Sequence, residues 1–127
     1  MLDHIGFPVS DFERSLAFYK KALEPLGLEL IVELPRETAG GNAHAGFGRK
    51  GRAQFWIGTG SALRGRLHVA FEAGSRPQVD AFHAAALRAG ASDNGKPGLR
   101  PQYHPHYYGA FVLDPDGHNI EAVCRAP

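Results

Sequence analysis

Asp114-Pro115-Asp116-Gly117-His118-Asn119-Ile120-Glu121-Ala122-Val123 is the stretch whose reading decides the fold. Asp-Pro-Asp-Gly makes a strong turn, because Pro115 fixes φ and Gly117 tolerates positive φ, and apolar residues precede and follow it. Two strands therefore meet there. In the second, alternation puts Ile120, Ala122 and Cys124 on one face and Asn119, Glu121 and Val123 on the other, so the carboxylate points away from the more apolar side. That makes Glu121 the first candidate for chemistry, although any strand with one wet face carries polar residues for solvation alone.

Working outward from the turn, the chain reads as one pattern written twice. Asp3 to Val9 alternates, with Ile5, Phe7 and Val9 on one face and His4, Gly6 and Pro8 on the other. Ser10-Asp11-Phe12-Glu13 then reads as a capping box, and Phe12, Leu16, Tyr19 and Leu23 recur at helical spacing until Pro25 and Gly27. Three strands are expected next, over 28–34, 43–48 and 53–58, with turns at Gly40-Gly41 and Arg49-Lys50-Gly51. At Leu67 the order starts again. Leu67, Val69 and Phe71 alternate with His68 and Ala70; Ser75-Arg76-Pro77-Gln78 is a second capping box; Val79, Phe82, Ala86 and Leu87 form a second apolar stripe ending before Gly90. His4 and His68 are 64 residues apart, Ser10 and Ser75 65, and Gly27 and Gly90 63. Three landmarks agreeing on one period predict two tandem βαβββ modules, about 1–63 and 64–127, within a single domain. The rest of the second module is expected as a weak strand or loop over 91–98, a Pro- and aromatic-rich passage over 99–106, a strand over 107–113 and the final strand. Setting Gly51 against Gly117 aligns Phe55 with Glu121.

Composition narrows the function classes. A chain of 127 residues is long enough for a real core. Its formal net charge of +1, with basic residues scattered, lacks the electrostatic footprint of a nucleic-acid binder, so the expected partner is a small molecule. No apolar run is long enough to span a membrane, and Met1-Leu2-Asp3-His4 opens neither a basic nor an apolar leader segment, so no membrane partner and a cytoplasmic location are expected. The single cysteine, Cys124, lies in an apolar strand and reads as a buried thiol.

His4 and His68 occupy the same place in two modules, each on the strand face opposite the residues that pack under a helix. Small neighbours, Gly6 and Ala70, leave room on that face. With Glu121 they make two imidazoles and one carboxylate, a donor set suited to a divalent first-row metal with positions left open for water or substrate.

The paired modules, Leu2-Asp3-His4-Ile5-Gly6, the helix segment from Ser10 to Tyr19, His68, and the closing segment from Asp114 to Glu121 together resemble the vicinal oxygen chelate superfamily. Glyoxalase I, extradiol dioxygenases, fosfomycin-modifying enzymes and bleomycin-resistance proteins belong to it. The resemblance covers essentially the whole chain. It implies an α+β fold in which two βαβββ modules form a curved mixed sheet around a cavity, with the helices on the outer face. It also implies a homodimer and a metal held by His4, His68 and Glu121. The cofactor expected is a divalent metal ion: Fe, Mn, Ni, Co or Zn. Similarity to glyoxalase I would place a further acidic ligand on the last strand of module one, where this chain has Gln54-Phe55-Trp56-Ile57. Phe55 neither binds metal nor moves protons, and a one-residue slip or bulge would present the amide of Gln54 instead.

Further candidates lie in Gln102-Tyr103-His104-Pro105-His106-Tyr107-Tyr108-Gly109, where His104, Tyr107 and Tyr108 are expected to donate to an oxyanion or act as acid and base. Arg100 is a candidate fork for a substrate carboxylate, and Phe55 and Trp56 are candidate pocket walls. The expected function is a metal-dependent small-molecule enzyme of the glyoxalase or dioxygenase type, binding neighbouring substrate oxygens on the metal and acting as lyase, isomerase or oxygenase. The alternative is a metal-free binding protein of the bleomycin-resistance type that stacks a flat ligand on Phe55, Trp56, Tyr107 and Tyr108.

Overall fold

A computed structural model of the chain describes residues 1–36 and 41–127. Gly40, half of one expected turn, falls outside the described residues. Module one runs β1 (Ile5–Val9), α1 (Phe12–Leu23), a single 3-10 turn (Glu24–Leu26), β2 (Glu29–Leu34), β3 (His44–Arg49) and β4 (Arg52–Thr59). Module two repeats the order as β5 (His68–Glu72), α2 (Arg76–Arg88), β6 (Ser92–Leu99), β7 (Tyr108–Leu113) and β8 (Asn119–Cys124). Each module hydrogen-bonds as its own four-stranded sheet, β1-β4-β3-β2 and β5-β8-β7-β6, in which the first strand runs parallel to the last and the other pairs are antiparallel. This is the tandem βαβββ, α+β fold that the repeat predicts. Segment 92–99 is a strand, although its pairing with β7 shifts register at Asp93/Gly95 and again at Gly95/Gly98.

The alternation sorts the faces as expected. Phe7 and Val9 of β1, Ile57 of β4, Ala110 and Val112 of β7, and Ile120, Ala122 and Cys124 of β8 are buried in one core with the apolar stripes of both helices. Burying a side chain of this size stabilises by about 1.5–3 kcal/mol, so the shared core is the main force joining the modules. Leu87 departs from the expected stripe and is exposed.

Polar contacts add a second join, and they run through the turn that decided the fold. Asp114 is buried; its Oδ1 accepts from the backbone N–H groups of Asp116 and His118, both at 2.9 Å, and its Oδ2 accepts from the Tyr19 hydroxyl of α1. Arg14 donates to the Pro115 carbonyl at 3.1 Å, and Ser10 donates its backbone N–H to Asp116 at 3.0 Å and its hydroxyl to the same carboxylate. Ser10 is therefore spent between modules, and the residue that caps α1 is Asp11, which accepts from Arg14 N at 3.1 Å. Ser75 caps α2 as expected, accepting from Gln78 N at 3.3 Å while the Gln78 amide accepts from Gly74 N at 2.7 Å.

Candidate functional site

The face of the second sheet opposite the one packed under the helices carries a buried carboxylate. Glu121 is 1% exposed. It lies beside Ala70 of β5 and Phe111 of β7, the partners that register assigns it. A carboxylate so far from water needs donors, and two reach it: His68 Nε2 at 2.8 Å from Oε1, and the Tyr107 hydroxyl on Oε2. Room for the second comes from Gly109, where a Cβ would sit 3.2 Å from Glu121 Oε2 and 3.1 Å from Tyr107 Cε1. His68 is half exposed and its ring lies 6.2 Å from that of Phe111. A cavity of about 380 Å³ is lined by His68, Tyr103, Tyr107, Phe111, Glu121 and Arg125. Burial, followed by the hydrogen bond to Glu121 and its charge, pushes the Tyr107 phenol up to about 12, so it remains a neutral donor at ordinary pH.

His4, the counterpart of His68, has a different setting. Its side chain is 61% exposed; Asp3 Oδ1 sits 2.8 Å from its Nδ1, and Arg52 donates to Asp3 Oδ2 at 2.7 Å. The two contacts, His4 first and Arg52 next, hold the Asp3 carboxyl below the usual range. A carboxylate on Nδ1 leaves Nε2 as the free nitrogen. A second cavity, of about 370 Å³, has both His4 and His68 in its lining together with Gln54. Even so, among the described residues no three His, Cys, Asp or Glu side chains are grouped to hold a metal. His68 and Glu121 converge on one point and fit a divalent cation by donor type; among the described residues of one chain they are a pair without a third ligand.

Register corrects the alignment of the modules. Ala70, two residues past His68, faces Glu121; Gly6, two past His4, faces Trp56. The counterpart of Glu121 is thus Trp56, not Phe55. The cause is a bulge: β3 and β4 step from Phe47↔Phe55 to Gly48↔Ala53, leaving Gln54 unpaired and displacing every later residue by one. The Trp56 indole covers Gly46, whose Cβ would sit 3.0 Å from its ring atoms. Phe55 turns inward instead, 3% exposed, with ring centroids 5.5 Å from Phe7, 5.0 Å from Tyr19 and 5.1 Å from Phe71.

The remaining candidates part company. Tyr107 is at the site, while Tyr108, the next residue on the strand, points to the opposite face and donates to Asp80 of α2 at 2.6 Å. His104 stays in the preceding loop, its Nδ1 accepting from His106 N at 3.0 Å. Arg100 donates to the carbonyls of Gly98 and Lys96 at 2.8 and 2.7 Å and lies 5.4 Å from the Phe111 ring. Three lining residues were not among the candidates, Tyr103, Phe111 and Arg125. Continuing the alternation of Glu121 and Val123 by one step reaches Arg125.

A family model described as the Glyoxalase/Bleomycin resistance protein/Dioxygenase superfamily matches residues 1–122. The metallothiol transferase FosB of Shouchella clausii (strain KSM-K16) is 29% identical over 125 residues, covering 94% of this chain and 77% of that protein. A glyoxalase/bleomycin resistance protein from Albidiferax ferrireducens T118 superposes with a TM-score of 0.70 at 27% identity, over 97% of each chain. The fosfomycin resistance protein FosX from Listeria monocytogenes, in a structure complexed with Mn(II) and sulfate, shares the fold with a TM-score of 0.70 at 22% identity, over 99% of this chain and 93% of that one.

Proposed function

The chain belongs to the glyoxalase/bleomycin resistance protein/dioxygenase superfamily, and on that premise we propose that it is a metal-dependent enzyme acting on a small molecule. The observation that carries this reading is the buried Glu121 carboxylate with His68 Nε2 at 2.8 Å. A bound divalent cation would supply Lewis acidity, polarising neighbouring substrate oxygens and offsetting the negative charge that develops on them.

The chain's own residues divide the other work. Tyr107 is a positioning residue: its hydroxyl holds Oε2 of Glu121 and so turns Oε1 toward His68. Phe111 shields one side of the His68 ring. With Trp56 in the place corresponding to Glu121, module one offers no carboxylate there to shuttle a proton. That favours activation of a substrate for attack by a nucleophile over isomerisation by two carboxylates, and the likeness to a metallothiol transferase points the same way. The alternative of a flat-ligand binding protein is less well supported, because Phe55, Trp56, Tyr107 and Tyr108 are spread over the core and two different sheets.

The third ligand in this reading is His4, contributed across a homodimer. Its exposed imidazole, with Nδ1 held by Asp3, is free to approach the pair of a second copy. The test is thermal unfolding of metal-stripped protein titrated with Fe(II), Mn(II), Ni(II), Co(II) and Zn(II). At a hundredfold the dissociation constant a cation should stabilise by about 2.7 kcal/mol. The shift is expected in the wild type and absent in Glu121→Ala and His68→Ala; a wild type indifferent to every cation would refute the metal site.

A further inference from the structure

We propose that Arg125 is an anion anchor, binding the carboxylate or phosphate-type group of a small ligand in the cavity beside Glu121. Arg125 follows Glu121 by four residues, one past the end of β8, and lines the same cavity. Its guanidinium stands 5.0 Å from the centroid of the Tyr107 ring. Placed over a ring, a guanidinium keeps N–H donors to offer, and a planar or tetrahedral oxyanion can take two at once. Among the described residues Arg125 has no ion pair, and the hydrogen bonds to Glu121 come from His68 and Tyr107.

Arg100 shows what an arginine looks like when its donors are spent. Both of its terminal nitrogens serve carbonyls of β6, and its charge rests on Phe111. It braces a strand whose pairing is broken by two register shifts. The anchoring role expected of Arg100 therefore passes to Arg125. The cavity also sets the shape of the guest. Its volume of about 380 Å³ admits a small acid. Tyr103 and Tyr107 meet edge to face with centroids 5.1 Å apart, and with Phe111 they offer an apolar wall for the ligand's body. An anion at Arg125 then leaves the rest of the molecule facing His68 and Glu121. The inference shares its cavity with the proposed function, but the anchor itself needs no metal.

The experiment is a titration of metal-free protein with inorganic phosphate and, separately, acetate, followed by the backbone amide resonances of residues 103–111 and 119–125. Wild type should show saturable shifts centred on Tyr103, Tyr107 and Arg125. Arg125→Gln should weaken binding about tenfold or more, Arg125→Lys by less, and Arg100→Gln should leave the affinity unchanged. The stronger of the two probes identifies the group as phosphate-like or carboxylate-like. An Arg125→Gln protein that binds both anions as the wild type does, or shifts that saturate elsewhere, would overturn the proposal. Mn(II) binding by Arg125→Gln, measured in parallel, separates the two claims: wild type binding the anion but no metal refutes only the proposed function, and intact metal binding with no anion site refutes only the anchor.

Discussion

At equivalent places in the two sheets, Gly6 lies opposite Trp56 and Ala70 opposite Glu121. Around them the comparison continues: Gly46 matches Phe111, and His4, whose Nδ1 meets the exposed Asp3 carboxylate, matches His68, whose Nε2 meets the buried Glu121. The backbone is the same device used twice, but module one fills its open face with an indole laid over a glycine, whereas module two buries a charge there and surrounds it with donors. A duplicated fold fixes where side chains point and leaves their chemistry to diverge. The consequence is that the two faces should fail in different ways when perturbed.

The largest effect is expected at the join between the modules. Asp114→Ala leaves the Tyr19 hydroxyl and two backbone N–H groups without their acceptor, which should cost about 3 kcal/mol or more in denaturant unfolding. A loss below about 1 kcal/mol would mean that the shared apolar core alone holds the modules together. Next comes the indole. Trp56→Ala should cost about 2 kcal/mol, less than a fully buried tryptophan because Trp56 is half-buried; an unchanged midpoint would show that module one's face is not packed by it.

The comparison also has a pH signature. The Tyr107 phenol is raised to about 12, first by burial and then by Glu121. Because the folded value lies above the unfolded one near 10, the associated stability is fully present below pH 10 and is lost as the pH rises towards 12. Tyr19 and Tyr108 are raised as well, so the Tyr107 component at about 12 is read in spectrophotometric titration as the difference from Tyr107→Phe, and it should move down in Glu121→Gln. A profile unaffected by Glu121→Gln would detach Tyr107 from the carboxylate. The smallest effect is expected from Asp116→Ala, about 1 kcal/mol, since its bonds to Ser10 are solvent-exposed.

Hydrophobic alternation and the repeat of landmarks made the two modules readable, because a strand that buries one face must write a period of two into its residues. The same alternation sends neighbours such as Tyr107 and Tyr108 to opposite faces, which taking both as catalytic candidates overlooks, and from Glu121 it reaches Arg125 in two more steps. A bulge near Gln54 was legible as an alternative that would present its amide; what escaped was that the bulge leaves Gln54 unpaired and brings Trp56 into the register instead. Counting from the turn glycines assumes unbroken pairing, and one extra residue between Gly48 and Phe47's partners moved Trp56 into the place expected for Phe55. The fate of Arg100 was equally hidden, since a guanidinium consumed by nearby carbonyls looks in sequence like one held in reserve.

The proposal that His68 and Glu121 share a metal with His4 of a second copy is tested most directly by mixing two defective proteins. His4→Ala and Glu121→Ala should each fail to bind Mn(II). Unfolded together in equal amounts and refolded, they should recover about one quarter of the wild-type sites, because half of the dimers are mixed and each mixed dimer contains one site with both defects and one with neither. No recovery would show that the ligands are not shared between copies, and Mn(II) binding by either variant alone would contradict the ligand set itself.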